Sequence, residues 1–94
     1  MLESSVEKYL VDQIQLHGGL CWKWVCPGHA GVPDRIILLP GGRIVFVETK
    51  APGKKERPLQ EYIHGRLRKL GFAVYSSVDT KERVKEVVNE ICTA

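Results

Sequence analysis

The sequence predicts an α/β domain in which a mixed four-stranded sheet is flanked by helices, in the order αβββαβα. Apolar residues recur at helical spacing in three segments, one near each end of the chain and one at about residues 58–70. Between these segments lie short runs rich in β-branched and aromatic residues, and glycine or proline separates them. The chain has 94 residues, of which 44% are hydrophobic and 27% charged, so we expect one folded domain over residues 1–94.

The first helix is predicted over about residues 5–17. Ser4 and Glu7 have the spacing of a capping box. The residues that then recur at helical intervals, before a glycine pair ends the pattern, are Val6, Leu10 and Ile14. Residues 20–26 are aromatic and apolar and end at a Pro-Gly pair, which predicts the first strand.

The second and third strands are predicted to form a hairpin. Residues 34–39 and 43–48 are rich in β-branched residues, and the turn Pro40-Gly41-Gly42 separates them. Because both strands are almost continuously apolar, we expect helices to bury them on both faces.

The second half of the chain predicts a helix, a strand and a final helix. Pro58 suits a first turn, and the helix at 58–70 carries an apolar stripe of Leu59, Ile63, Leu67 and Leu70. Residues 72–76 predict a fourth strand, which a helical crossover would place parallel to the third. Asp79 and Glu82 offer a cap for the last helix, whose apolar positions are Val84, Val87, Val88 and Ile91.

Composition indicates the compartment. No apolar run approaches the roughly 20 residues of a membrane span, and the N-terminus lacks a signal-peptide pattern, so we expect a cytoplasmic protein without a membrane partner. Three cysteines without a Cys-X-X-Cys pair favour a reducing compartment. A zinc site built from His17, Cys21, Cys26 and His29 is disfavoured, because strand alternation points the two cysteines to opposite faces.

The charge distribution favours a polyanionic partner such as nucleic acid. Residues 50–69 contain seven basic and two acidic side chains, although such a run is often only a solvated face. The candidates for phosphate contact are Lys54, Lys55, Arg57, His64 and Arg68. His29 lies just before Asp34 and could approach a substrate, although a histidine in a loop is more often only solvated. Trp22 and Trp24 share one face of the first strand and indicate either core or a subunit interface.

Three charged residues converge on one end of the predicted sheet. Glu48 and Lys50 share a face at the end of the third strand, while the Thr49 side chain points away and leaves its carbonyl beside the site. Asp34 opens the neighbouring strand of the hairpin. Two carboxylates and a carbonyl suit Mg²⁺, and a lysine beside them suits hydrolysis of a phosphodiester. The alternative is a capped turn and a surface ion pair.

Residues 31–35 (Gly-Val-Pro-Asp-Arg), residues 47–53 (Val-Glu-Thr-Lys-Ala-Pro-Gly) and Gln60 together resemble a known family. It is the virus-type replication-repair nuclease domain, VRR-NUC, of the PD-(D/E)XK superfamily of restriction-like nucleases. The match runs from Glu7 to about Asp79, and the resemblance implies a restriction-endonuclease-like core.

The resemblance implies a role for each matched residue. Asp34, Glu48 and the Thr49 carbonyl would bind metal, Lys50 would be the catalytic lysine, and Gln60 would support the site. The family also places an acidic residue on the first helix near the metal, which implies Glu7. Glu7 lies within the apolar stripe of that helix, where its alternative role is the capping box.

The sequence thus predicts a Mg²⁺-dependent, structure-selective DNA endonuclease in which Mn²⁺ substitutes and no small-molecule cofactor takes part. Its expected substrate is branched or duplex DNA, cut by a homodimer in the manner of a four-way-junction (Holliday-junction) resolvase. A bacterial or phage-infected host cell is implied by the resemblance. The alternatives are a flap or nicking nuclease, or a catalytically silent DNA-binding module.

Overall fold

The computed structural model describes residues 2–92, which form helices and strands in the predicted order. The elements are α1 (Glu3–Leu16), β1 (Leu20–Lys23), β2 (Arg35–Leu39), β3 (Arg43–Thr49), α2 (Pro58–Lys69), β4 (Ala73–Val78) and α3 (Lys81–Cys92). The first strand is shorter than expected, since regular pairing with β2 ends at Lys23 opposite Arg35.

The sheet is mixed, as predicted, with the strand order β1-β2-β3-β4. The first three strands run antiparallel, and β4 runs parallel to β3 because α2 carries the chain back across the sheet. Arg35 lies opposite Val47, so Asp34 and Glu48 are neighbours at one end of the hairpin. This register brings the predicted carboxylates together.

The first face of the sheet, which we call the covered face, packs against α1 and α3. Every second residue of the strands enters this core, as strand alternation requires. The buried residues are Val6, Leu10, Ile14, Cys21, Ile37, Leu39, Val45, Val47, Val78, Val84, Val87, Val88 and Ile91. The helical stripes predicted for α1 and α3 therefore form the main core.

The opposite face is covered only in part, because α2 packs mainly over β4. The apolar residues of this face that lie beside or beyond α2 form what we call the open face: Leu20, Trp22, Ile36, Leu38, Ile44, Phe46 and Phe72. The expectation that both hairpin strands are buried on both faces is wrong, since Ile36 and Leu38 are only half-buried and Ile44 is exposed.

The apolar stripe of α2 does not face the core. Leu59 and Leu70 are exposed, and the buried residue of this helix is His64. The reason is that α2 docks on the sheet through polar side chains one turn apart, Gln60 and His64, which turns the apolar stripe sideways.

Two predicted helix caps are also wrong. The N-cap of α1 is Leu2 and makes no side-chain hydrogen bond, so Ser4 lies within the first turn and forms no capping box with Glu7. In α3 the cap is Thr80, whose Oγ1 accepts a hydrogen bond from the Arg83 N–H at 3.0 Å. Among residues 2–92, no helix has both the length and the apolar character to cross a bilayer.

Candidate active site at the end of the central strands

Asp34 lies at the centre of a hydrogen-bond network between β2 and β3. Its backbone N–H donates to Glu48 Oε1 at 3.0 Å. Its carboxylate accepts from the Thr49 N–H at 3.1 Å and from the Thr49 hydroxyl at 2.7 Å. Strand register keeps the Thr49 side chain on the face opposite Glu48, as predicted. It still bonds Asp34, because Asp34 precedes β2 and strand alternation does not set the direction of the Asp34 side chain.

A second network joins Glu48, Lys50 and Gln60. Lys50 Nζ lies 3.3 Å from Glu48 Oε2 and donates to Gln60 Oε1 at 3.1 Å. The Gln60 amide donates to Glu48 Oε2 at 3.4 Å, and its oxygen also accepts from the Arg57 N–H at 2.9 Å. The structure thus brings Gln60, from the first turn of α2, onto the carboxylate and lysine that end β3.

Burial and nearby negative charge disfavour the charged forms of both carboxylates. Burial, followed by the nearby Asp34 charge, raises the pKa of Glu48 to about 7 against the opposing pull of Lys50. Burial likewise raises the pKa of Asp34, although the hydrogen bonds from Thr49 oppose the shift and the Glu7 charge adds to it. A cation placed between the two carboxylates would relieve both penalties.

The donor set suits a hard divalent cation. Asp34 and Glu48 offer carboxylate oxygens, and the Thr49 carbonyl is a third oxygen at the same strand end. Within residues 2–92, no three His, Cys, Asp or Glu side chains converge closely enough to hold a metal by themselves. Mg²⁺ needs only one or two carboxylates when water and substrate phosphate complete its shell, so the residues fit that ion.

Glu7 lies beside this network on the α1 side. Its carboxylate accepts a hydrogen bond from Arg35 Nε at 2.8 Å, and each side chain of the pair is 17% exposed. Arg35 also donates to the Cys21 carbonyl at 3.3 Å. Sequence patterns alone assign Arg35 no role of its own, although its position directly after Asp34 at the start of a strand is a usable signal.

His64 does not face solvent, contrary to the expectation that it contacts phosphate. Its ring is fully buried, with Nδ1 2.7 Å from the Ser76 hydroxyl and Nε2 without a hydrogen-bond partner. Burial lowers the pKa of His64, and the charges of Arg68 and Lys50 act in the same direction. The Arg68 guanidinium donates to the Val74 carbonyl and to Ser76, so it anchors α2 to β4.

The loop between β3 and α2 carries the remaining basic candidates, Lys54, Lys55 and Arg57, all of which are exposed. Both the backbone N–H and the hydroxyl of Ser77 donate to the Glu56 carboxylate. Burial works to raise the pKa of Glu56, but these bonds outweigh it and the pKa is lowered. The loop is therefore braced against the end of β4, by a contact between distant residues that no local pattern indicated.

Comparison with known proteins finds relatives of this chain and of its fold. No family model matches the sequence. A protein described as "Putative nuclease p44", from Acyrthosiphon pisum secondary endosymbiont phage 1, is 51% identical over 72 residues, which are 77% of each chain. A solved structure described as "VRR_NUC domain" is 32% identical, covers 95% of this chain and 97% of its own, and superposes with a TM-score of 0.86.

Proposed function

Because this chain belongs to the VRR_NUC family of nuclease domains, we propose that it is a Mg²⁺-dependent, structure-selective DNA endonuclease that cuts four-way junctions as a homodimer. The observation that carries the proposal is the pair of carboxylates, the half-buried Asp34 and the buried Glu48, held beside Lys50 at one end of the sheet. A structural ion pair does not need a second carboxylate with a raised pKa.

Asp34, Glu48 and the Thr49 carbonyl would hold the metal. When bound, Mg²⁺ supplies positive charge that polarises the scissile phosphate and increases the acidity of water. Mn²⁺ is expected to substitute, since it accepts the same oxygen ligands. Glu7 lies close enough to influence the charge of Asp34 and is the fourth candidate, through a direct or water-mediated contact.

The chain's own side chains prepare this chemistry. Thr49 occupies both oxygens of Asp34 and so fixes the orientation of the carboxylate. Lys50 provides an ammonium group that orients the attacking water or stabilises charge on the phosphorane-like transition state. Gln60 contacts both Lys50 and Glu48, so it keeps the lysine at the carboxylate in the absence of substrate.

DNA would approach the exposed loop that follows β3. Lys54, Lys55 and Arg57 lie within seven residues of Lys50 and have no ion-pair partner within the described chain. Contacts from such residues reach phosphates and carry no base sequence, which favours recognition of DNA shape. A homodimer would match the twofold symmetry of a four-way junction.

The test is cleavage of labelled four-way junction, flap and linear duplex with Mg²⁺, Mn²⁺ or EDTA. Glu48→Gln and Lys50→Met should each reduce the rate by about 100-fold or more while folding and junction binding persist. Glu86→Gln is the matched control, since this glutamate is exposed on α3, and it should leave the rate unchanged.

Preference for the flap over the junction would support the flap or nicking alternative instead. Junction binding by folded wild-type protein without cleavage in any metal would overturn the nuclease proposal in favour of a DNA-binding module.

A further inference from the structure

We propose that the open face of the sheet is the surface through which two copies of this chain pair. The inference deepens the proposed function and rests on it in one respect, since it assigns a surface to the homodimer proposed there. The apolar residues that carry it are independent of the catalytic site.

The open face is apolar across the first three strands and ends at Phe72, directly before β4. The cross-strand partners of Trp22 and Leu20 are Ile36 and Leu38, and Leu38 in turn lies opposite Ile44. Residues opposite one another in neighbouring strands share a face, so these side chains form one surface. Trp22 is 56% exposed and Leu20 is 44% exposed, although such residues bury readily when a partner is available.

An aromatic cluster makes this surface rigid. Trp24 stacks on Phe46 with ring centroids 4.6 Å apart, and Phe72 meets Phe46 edge-on at 5.5 Å. Rings packed in this way are already ordered in the single chain. Little side-chain freedom would therefore be lost when a partner covers them.

The sideways-turned stripe of α2 extends the same surface. Leu70 is 73% exposed, and with Leu67 and Ile63 it lines an open groove. The other residues that line the groove are Cys26, His29, Val32 and Arg66. The Phe72 N–H donates to the Leu67 carbonyl at 3.1 Å, so the groove and the aromatic cluster adjoin. The open face and the groove together form one mainly apolar surface, with the Arg66 side chain in the groove.

A second copy of this chain fits this surface better than DNA does. The seven side chains of the open face carry no charge, whereas DNA binding requires cations at the phosphates.

The exposed apolar area is large enough for a dimer interface. At side-chain areas of roughly 150–250 Å², the exposed fractions of these side chains amount to on the order of 500 Å² of apolar surface per copy. Two copies would bury about 1,000 Å², the size from which specific interfaces begin. Neither copy would bury an unpaired charge from this face.

The first experiment measures molar mass by sedimentation equilibrium from about 1 to 200 μM, without DNA or metal. We expect wild type to reach twice the 10.6 kDa of one chain. Trp22→Glu should raise the dimer dissociation constant by at least about 100-fold, because it would place a charge in the interface. Leu16→Glu is the matched control, since Leu16 is 77% exposed on α1, across the sheet, and it should dimerise as wild type does.

A second measurement reports on the surface itself. Trp24→Phe leaves Trp22 as the sole tryptophan, and its emission should shift to shorter wavelength as concentration rises and the dimer forms. A monomeric wild type at 200 μM would overturn the proposal, as would a dimer in which Trp22 emission stays unchanged. Because neither measurement involves cleavage, a dimer without nuclease activity would refute the proposed nuclease activity and leave this inference standing. An active monomer would refute this inference and the proposed homodimer, while the nuclease activity itself would stand.

Discussion

The two faces of the sheet are held by different interactions. On the covered face, α1 and α3 pack through apolar side chains that are almost completely buried. On the opposite face, α2 is held by hydrogen bonds from Gln60, His64 and Arg68 to side chains and carbonyls of β3 and β4. One side of the sheet therefore supplies stability, while the other supplies the polar groups that chemistry requires.

The polar side carries an energetic cost that the apolar side does not. His64 Nε2 is buried without a partner, and Glu48 is buried where its charged form is disfavoured. Buried polar groups of this kind are unfavourable unless they are paired. Such a site persists because the packing on the covered face stabilises the whole domain.

The largest expected difference between the two sides is in the free energy of unfolding when one leucine on each side is replaced by alanine. Leu10→Ala removes a fully buried side chain from the covered face and should lower the free energy of unfolding by about 2–5 kcal/mol. Leu70→Ala, on the exposed stripe of α2, should change it by less than about 0.5 kcal/mol at dilute concentration. Urea unfolding followed by circular dichroism measures both, and equal losses would contradict the contrast.

The pH dependence of stability tests the cost on the polar side. The pKa of Glu48 is about 7 in the folded protein against 4.5 when unfolded, so the folded state binds more protons between these values. Without metal, this residue should reduce the free energy of unfolding as pH rises from about 5 to 8, by up to about 3 kcal/mol. Asp34 acts in the same direction.

His64 acts with the opposite sign, since its lowered pKa reduces stability as pH falls below 6.5. The contribution of Glu48 is therefore the difference between wild type and Glu48→Gln, measured by urea unfolding in EDTA. If the free energies of unfolding of the two proteins change in parallel with pH, the energetic cost assigned to burying the Glu48 charge is refuted. Added Mg²⁺ should reverse the loss at pH 8 in wild type only, if the metal binds where we propose.

Two glycines in the loop between β1 and β2 test the contact of this loop with α2. Gly31 has a φ of +92°, and a Cβ there would lie 3.0 Å from the Leu59 carbonyl oxygen and from two side chains of α2. Gly28 has a similar φ of +83° with open space around it. Gly28→Ala should cost about 1 kcal/mol of unfolding free energy for backbone strain alone, and Gly31→Ala about 1 kcal/mol more.

Thermal or urea unfolding compares the two variants directly. Equal losses would mean that the loop does not press against α2. Reduced cleavage by Gly31→Ala at full folding would further indicate that the position of α2 sets the position of Gln60.

The smallest predicted effect concerns Arg35. Arg35→Lys keeps the positive charge but cannot bond both Glu7 and the Cys21 carbonyl, so we expect a loss of about 1 kcal/mol in unfolding free energy. Asp12→Ala removes a more exposed ion pair with Lys8 and should cost less than about 0.5 kcal/mol. If Glu7 contributes to the metal site, calorimetric titration should also show a several-fold weaker Mg²⁺ affinity for Arg35→Lys. Unchanged stability would show that the guanidinium contacts of Arg35 contribute nothing beyond its charge.

Much of the fold followed from local patterns. The order of the elements, the mixed sheet and the parallel fourth strand are confirmed. Periodicity and glycine punctuation act over a few residues, and the crossover rule needs only the order of neighbouring elements. The family resemblance read from residues 31–35, 47–53 and Gln60 is also confirmed. The predicted metal and DNA contacts stay predictions.

Local patterns in the sequence indicate which residues form strands and helices and which carboxylates share one end of the hairpin. They do not indicate that α2 turns its apolar stripe aside, that His64 is buried, that Thr49 reaches Asp34 or that Arg35 holds Glu7. The physical reason is that periodicity shows that a helix has an apolar side but not what lies opposite it. A helix that docks through polar side chains, as α2 does, reveals its orientation only when its partners on distant strands are in place.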